Sequence, residues 1–211
     1  MKKHTHPLRC GVYYHIYNRG INGEDLFKEE RNYPYFLKKY AQYIQPVADT
    51  YAYCLLKNHF HLLVRTKSAA DVIINVGRVG NPSDVKDEMF AAKLISNQFA
   101  KLFNSYAQSI NKAYGRTGGL FEELFRRIPV NNERYFNQLV FYIHANPQRH
   151  GFVLDFRNYP HSSYRAYQSL KDTSLKREEL IQKFGNLEAF SNYHNSHPLL
   201  TYLPKFEIEV D

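Results

Sequence analysis

The segment 47–65 restricts the fold more than any other part of this sequence. Two apolar runs, VADTYAYCLL and HFHLLVR, are separated only by Lys57 and Asn58. Two such runs across a two-residue break are typical of an antiparallel β-hairpin, because a tight turn places the runs side by side. The chain is therefore expected to contain an antiparallel sheet.

Further elements are predicted on both sides of this hairpin. The alternating string VYYHIYN predicts a strand between Gly11 and Asn18. Apolar periodicity predicts one helix that starts at Asn32 and stops before Pro46, a second from Leu94 to Tyr114, and a third from Asn132 to about Asn146. A short strand is predicted over 127–130 and a C-terminal helix over 176–184. Residues 66–93 read as an irregular connector with weak helical pieces. This order predicts an α+β fold, a small antiparallel sheet with helices packed on one face.

Two histidines stand two positions apart in the second run of the hairpin. His59 and His61 point to the same face of a strand, so their imidazoles can converge on one metal ion. The spacing alone is weak evidence, since His4 and His6 share it in a polar tail where no preformed site is expected. A pair of this kind is more often an accident of surface or packing.

The helix that ends the predicted core carries a phenol and an amide one turn apart. Tyr142 and Asn146 are four residues apart and share a helix face. An amide oxygen can bind Mg²⁺ or Mn²⁺, and a phenol with a pKa near 10 can act as a nucleophile where the site assists it. Alternatively, Tyr142 packs at the core edge and Asn146 ends the helix before Pro147. Tyr106 is a competing nucleophile, but no amide follows it four residues later.

Composition favours a polyanionic partner. Lys and Arg outnumber Asp and Glu by 28 to 20, and the chain has 18 Tyr but no Trp. Tyrosines on a basic protein suit stacking on unpaired bases, although they can equally fill the core. No long apolar run or signal segment is present, so a soluble cytoplasmic protein is expected, with Cys10 and Cys54 as reduced thiols.

Five basic residues flank the candidate site in sequence and are expected to contact the backbone of a nucleic-acid partner. They are Lys57, Arg65, Arg126, Arg127 and Arg149. Basic groups beside a phosphodiester position the backbone rather than read bases. For any single one of them, pairing with a nearby carboxylate is an equally good explanation.

Several segments, taken in order, resemble one known family. They are YYHIYNRGINGEDLFKEE, CLLKNHFHLLVR, FNSYAQSINKAYGRTGGLFEELFRR, YIHANPQRHG and YPHSSYRAY. Over about Gly11 to Tyr167 the chain resembles the single-tyrosine HUH transposases, most closely the REP-associated tyrosine transposases. It departs from the family pattern at Glu122–Leu124, where Glu-Gly-Arg is more usual, and at His161, where Trp is frequent.

The resemblance implies a ferredoxin-like sheet and a specific chemistry. His59, His61 and Asn146 would hold a divalent metal, Mg²⁺ or Mn²⁺, and Tyr142 would attack a phosphodiester of single-stranded or hairpin DNA. Attack would leave a 5′-phosphotyrosine and a free 3′-OH, which permits strand transfer. The five basic residues would contact the backbone of that DNA. Because histidine ligands must be neutral, activity is expected to fall as pH drops through about 6.5. The alternatives are a non-catalytic hairpin-binding protein and a metal-dependent phosphodiesterase that forms no covalent intermediate.

The predicted organisation has three parts. Residues 1–10 form a flexible basic tail, 11–170 the nuclease-like domain, and 171–211 a helical or irregular extension. The protein is expected in the cytoplasm, associated with the nucleoid, as a monomer or homodimer without membrane contact.

Overall fold

A computed structural model of the chain describes residues 8–77 and 87–196. Its elements are β1 (Tyr13–Arg19), α1 (Asn32–Ile44), β2 (Ala48–Leu55), β3 (His59–Thr66), α2 (Ala69–Val76), α3 (Glu88–Tyr114), β4 (Arg126–Val130), α4 (Glu133–Arg149), α5 (Tyr164–Tyr167), α6 (Arg177–Phe184) and α7 (Leu187–Ser196). No helix among these residues is long and apolar enough to cross a membrane.

The strands form one antiparallel sheet in the order β2-β3-β1-β4. The predicted hairpin is confirmed as β2 and β3, joined at Lys57 and Asn58. Helix α1 links β1 to β2, and the segment containing α3 links β3 to β4. This is the ferredoxin-like β-α-β-β-α-β arrangement, and the prediction of an α+β fold is confirmed.

One face of the sheet packs against α1 and α3. Alternate strand residues and apolar helix residues form a continuous cluster that includes Tyr14, Ile16, Phe60, Leu62, Val64, Phe36, Tyr40, Ile95, Phe99 and Leu102. Helix α3 begins six residues earlier than predicted because the Asp87 carboxylate accepts a hydrogen bond from the Phe90 amide at 2.8 Å. It ends, as predicted, at Gly115, whose φ of 60° suits a residue without a side chain.

Helices α1 and α3 pack on one face as predicted, and α4 in addition covers the opposite face. Its apolar residues meet those of β2 and β3 in a second cluster that includes Tyr51, Ala52, Leu63, Phe136, Leu139, Val140 and Ile143. The physical reason is that β2 and β3 carry apolar residues on both faces, and both must be removed from water.

Helix α4 also extends past Pro147, where the sequence predicts a stop. A proline removes one backbone donor and strains the preceding turn, at about 3 kcal/mol. This proline is close to the helix end, and the residues before it, 139–146, are all buried. The His150 amide donates to the Asn146 carbonyl at 3.0 Å, so the turn continues. The extra turn carries Arg149.

The C-terminal helices join the second cluster through buried side chains. These are Tyr164, Tyr167, Leu180 and Phe190. Between the helices, the chain runs along the outer edge of β2, with bridges from Cys54 to Ser162 and from Thr50 to Leu175. Residues 1–7 of the predicted tail, with His4 and His6, and 197–211 of the predicted extension lie outside the described residues, as do 78–86 of the connector.

Candidate active site

The α4 face of the sheet holds the two predicted histidines. In the β1–β3 register, Tyr17 lies opposite His61 and Arg19 opposite His59, so these four side chains share one face. His15 follows on the same face two residues before Tyr17. Helix α4 crosses this face and adds further polar side chains to it.

His59 and Asn146 meet directly between β3 and α4. The His59 Nε2 atom lies 3.3 Å from Asn146 Oδ1, and the Asn146 side chain is fully buried. The other ring nitrogen, Nδ1, lies 2.8 Å from Oδ1 of Asn58 in the β2–β3 turn. The structure therefore brings together one predicted histidine and the predicted amide.

The His59 ring is suited to act as a metal ligand. Burial lowers the pKa of His59 to about 4, with a further contribution from His150, so the ring is neutral at pH 7. A neutral imidazole has one N–H, yet both ring nitrogens face amide oxygens. If Asn58 takes the Nδ1 proton, the Nε2 lone pair faces the Asn146 oxygen, an arrangement that a cation between them stabilises.

The separation of these two atoms also suits a shared cation. Neighbouring ligands in an octahedral Mg²⁺ shell with bonds of about 2.1 Å lie about 3 Å apart. The observed 3.3 Å is close to that spacing. If Oδ1 and Nδ2 of Asn146 were exchanged, Nδ2 would instead donate a hydrogen bond to His59 Nε2. A metal titration distinguishes this hydrogen bond from a shared metal site.

His61 lies deeper than His59 in the same site. It is 1% exposed, and its ring centroid is 5.2 Å from that of His59. Burial holds the pKa of His61 well below its ordinary value, and the nearby His59 lowers it further. Its Nδ1 atom lies 3.0 Å from Nε2 of His15, a residue of β1.

Tyr142 lies beside this histidine cluster. Its ring meets His61 edge-on at a centroid distance of 5.4 Å, and the Arg149 guanidinium lies 5.0 Å from the ring centroid. The side chain is only 4% exposed. Tyr106 instead lies in the core on the other side of the sheet, where its hydroxyl donates to the Leu26 carbonyl at 2.8 Å. The structure therefore places Tyr142, and not Tyr106, next to the histidines.

The five predicted basic residues are not all at the site. Arg149 contacts the Tyr142 ring, and Lys57 lies in the turn before His59, where it pairs with Asp25 at 3.0 Å. Arg126 lies opposite Tyr17 on the site face.

Two other arginines lie elsewhere. Arg65 is at the far end of β3, where its guanidinium covers the Tyr13 ring and lies 3.9 Å from Glu179. Arg127 lies opposite Ile16 and covers the Phe125 ring on the α3 face. The predicted DNA contacts of Arg65 and Arg127 are not favoured by these positions, which are away from the histidines.

Two site residues were missed from the sequence, His15 and Arg19. Arg19 lies opposite His59, contributes to lowering its pKa, and pairs with Glu122 at 3.3 Å. Alternation along β1 puts both on one face, which was the available signal. Within residues 8–77 and 87–196, no group of three His, Cys, Asp or Glu side chains is arranged to hold a metal.

The fold and site define a ferredoxin-like α+β domain with a histidine pair on its central strand β3 and a tyrosine helix above it. No protein-family profile and no curated protein matches the sequence. Among solved structures, the chain is similar to that of a REP-associated tyrosine transposase bound to a REP hairpin. The identity is 16%, the TM-score is 0.51, and the match covers 82% of this chain and 96% of that one. This likeness confirms the expected resemblance at the level of the fold.

Proposed function

We propose that this protein is a metal-dependent enzyme that nicks and rejoins single-stranded DNA at hairpins through Tyr142. The observation that carries the proposal is the convergence of His59 and His61 from β3 with Tyr142 and Asn146 from α4 on one face of the sheet. Similarity to a transposase bound to a REP hairpin supports hairpin DNA as the substrate class.

His59, His61 and Asn146 are the proposed ligands of Mg²⁺ or Mn²⁺. When bound, the metal supplies Lewis-acid polarisation of the scissile phosphate and offsets the charge that develops on it. Two neutral imidazoles and an amide add no negative charge, so the cation keeps its attraction for an anionic phosphate. The lowered pKa values of the histidines keep them available as ligands at neutral pH.

Tyr142 is the proposed nucleophile. Its phenolic oxygen forms a bond to phosphorus while the bond from phosphorus to the 3′ oxygen breaks. The phenol loses its proton to solvent and the 3′ oxygen gains one, leaving a 5′-phosphotyrosine and a free 3′-OH. Attack by another 3′-OH reverses the step and joins a new strand.

Arg149 is proposed to assist Tyr142 through its charge. Its guanidinium lies 5.0 Å from the ring centroid, a cation–π contact in which the positive charge holds the nucleophile's ring in place. The same group can also contact the DNA backbone.

A covalent-adduct assay tests the proposal. End-labelled single-stranded hairpin DNAs are incubated with the protein and Mn²⁺, and denaturing electrophoresis detects DNA that remains attached to protein. We expect an adduct that is lost on chelation, in Tyr142→Phe and in His59→Ala. Tyr106→Phe is the matched control, because it removes a phenol hydroxyl from the apolar cluster on the other face of the sheet. This variant should retain the adduct.

The other outcomes select the alternatives. An adduct that persists in Tyr142→Phe would identify another nucleophile. Metal-dependent cleavage without an adduct would indicate a phosphodiesterase, and tight hairpin binding without cleavage would indicate a non-catalytic binding protein.

A further inference from the structure

His15 is a buried histidine that the reaction described above leaves without a role. It lies in the middle of β1, fully shielded from solvent, and its ring stacks on Tyr17 at a centroid distance of 4.7 Å. In the β1–β3 register it lies opposite Leu63 and diagonal to His61, within reach of a long side chain across the strands. Its Nε2 atom is 3.0 Å from His61 Nδ1.

Only one proton can lie between these two nitrogens. A histidine binds a metal only through a ring nitrogen that carries no proton, so the position of this proton decides which nitrogen of His61 is available. If the proton is on His15 Nε2, then His61 carries its own proton on Nε2 and that atom cannot bind a metal. If the proton is on His61 Nδ1, the His61 Nε2 lone pair is available.

We infer that His15 accepts the proton of His61 Nδ1 and thereby fixes His61 in the tautomer that presents Nε2 to the divalent cation. His15 is a positioning residue in this scheme, and the inference rests on the proposed metal-dependent function. Histidine ligands generally donate their other N–H to a partner that fixes ring orientation.

His59 has a comparable partner of a different kind. The Asn58 oxygen near its Nδ1 atom belongs to the adjacent residue in a partly exposed turn. His15 instead comes from a different strand and is held by packing on all sides. His15 should therefore orient its ligand more rigidly, and its loss should weaken metal binding measurably. Partners of this type are typically worth about 10–100-fold in metal affinity.

The first test needs no variant and no metal. Long-range ¹H–¹⁵N NMR correlation of the metal-free wild-type protein distinguishes protonated from unprotonated ring nitrogens. We expect His61 protonated on Nδ1 and His15 unprotonated on Nε2. The opposite assignment, with the proton on His15 Nε2, would overturn the inference.

The second test compares Mn²⁺ affinities of two variants at His15. His15→Phe keeps a ring but removes the acceptor, and should weaken Mn²⁺ binding about 10–100-fold. His15→Gln keeps an acceptor oxygen and should recover most of the affinity. Calorimetric titration gives the affinity, and thermal unfolding shows whether each variant is folded.

His144→Gln is the matched control. His144 is equally buried, on α4, but its ring nitrogens lie 3.0 Å from His194 and 2.8 Å from Ser163 instead of facing the site. This change should lower stability and leave Mn²⁺ affinity unaltered. Wild-type Mn²⁺ affinity in His15→Phe would overturn the inference about His15 alone, whereas absence of Mn²⁺ binding to the wild-type protein would overturn the proposed function as well.

Discussion

The two faces of the sheet are built from alternate residues of the same strands, yet they differ in chemistry. On β3, Phe60, Leu62 and Val64 face the apolar cluster under α1 and α3. His59 and His61 alternate with these residues and face α4, as does His15 of β1. One face therefore supplies apolar burial, and the other combines apolar packing with buried polar groups. The period-2 geometry of a strand allows stability and chemistry to be assigned separately to neighbouring residues.

The largest expected difference between the faces is in the free energy of unfolding. Phe60→Ala removes a fully buried ring that packs near Phe36 and Phe103, and should lower stability by about 3–5 kcal/mol. Tyr142→Phe, on the other face, should change it by no more than about 1 kcal/mol while abolishing the adduct. Urea unfolding measures both. A small loss in Phe60→Ala would show that the α1–α3 face does not dominate stability.

The second difference is sensitivity to acid. The pKa of His59 is about 4 in the folded chain against an ordinary value of 6.5, so between these pH values the unfolded chain binds a proton that the folded chain does not. Stability should therefore fall as pH drops through this window, by up to roughly 3 kcal/mol for this residue. His59→Gln should reduce the dependence measured by urea unfolding at pH 7 and pH 5 without abolishing it, because His15 and His61 also have lowered pKa values. Phe60→Leu should keep the wild-type slope. A wild-type slope in His59→Gln would assign the acid sensitivity to other groups.

The same shift changes the expected pH dependence of activity. The sequence predicts a fall through about pH 6.5, the value for an ordinary histidine. With His59 neutral down to about pH 4, ligand protonation should begin well below that range.

A third comparison uses the two tyrosines considered as nucleophiles. Tyr106→Phe loses one hydrogen bond to the Leu26 carbonyl and should lower stability by about 1 kcal/mol. Adduct formation should be unaffected, because this hydroxyl lies in the core away from the site face. Thermal unfolding and the adduct assay on the same preparation check both statements. Loss of the adduct with an intact fold would contradict the assignment of the faces.

The smallest expected effect separates two neighbouring arginines. Arg126 faces the site and Arg127 faces α3. Arg126→Ala should reduce the slope of log affinity against log salt for single-stranded DNA by about 0.7, the value for one phosphate contact. Arg127→Ala should leave that slope unchanged. Equal effects would mean that DNA also reaches the α3 side.

Sequence patterns predicted the strands and helices well, because the direction of a side chain within one element follows from its spacing along the chain. Alternation identified β3 and put both histidines on one face, and spacing by four put Tyr142 with Asn146. What the sequence could not provide was the register between distant strands, which pairs Arg19 with His59 and brings His15 to His61. It also left open which face Arg127 occupies, since a shift of one residue reverses every side chain of a strand.

The chain beside β2 has a consequence for how the protein behaves in concentrated solution. An uncovered strand edge is a template for pairing with another chain. Here Leu55 donates to the His161 carbonyl and Lys176 donates to the Thr50 carbonyl, both at 2.9 Å, so the β2 edge is already occupied. At the other edge, Pro129 removes a donor from β4. The segment that joins α4 to α6 thus protects the β2 edge from pairing with a strand of another molecule.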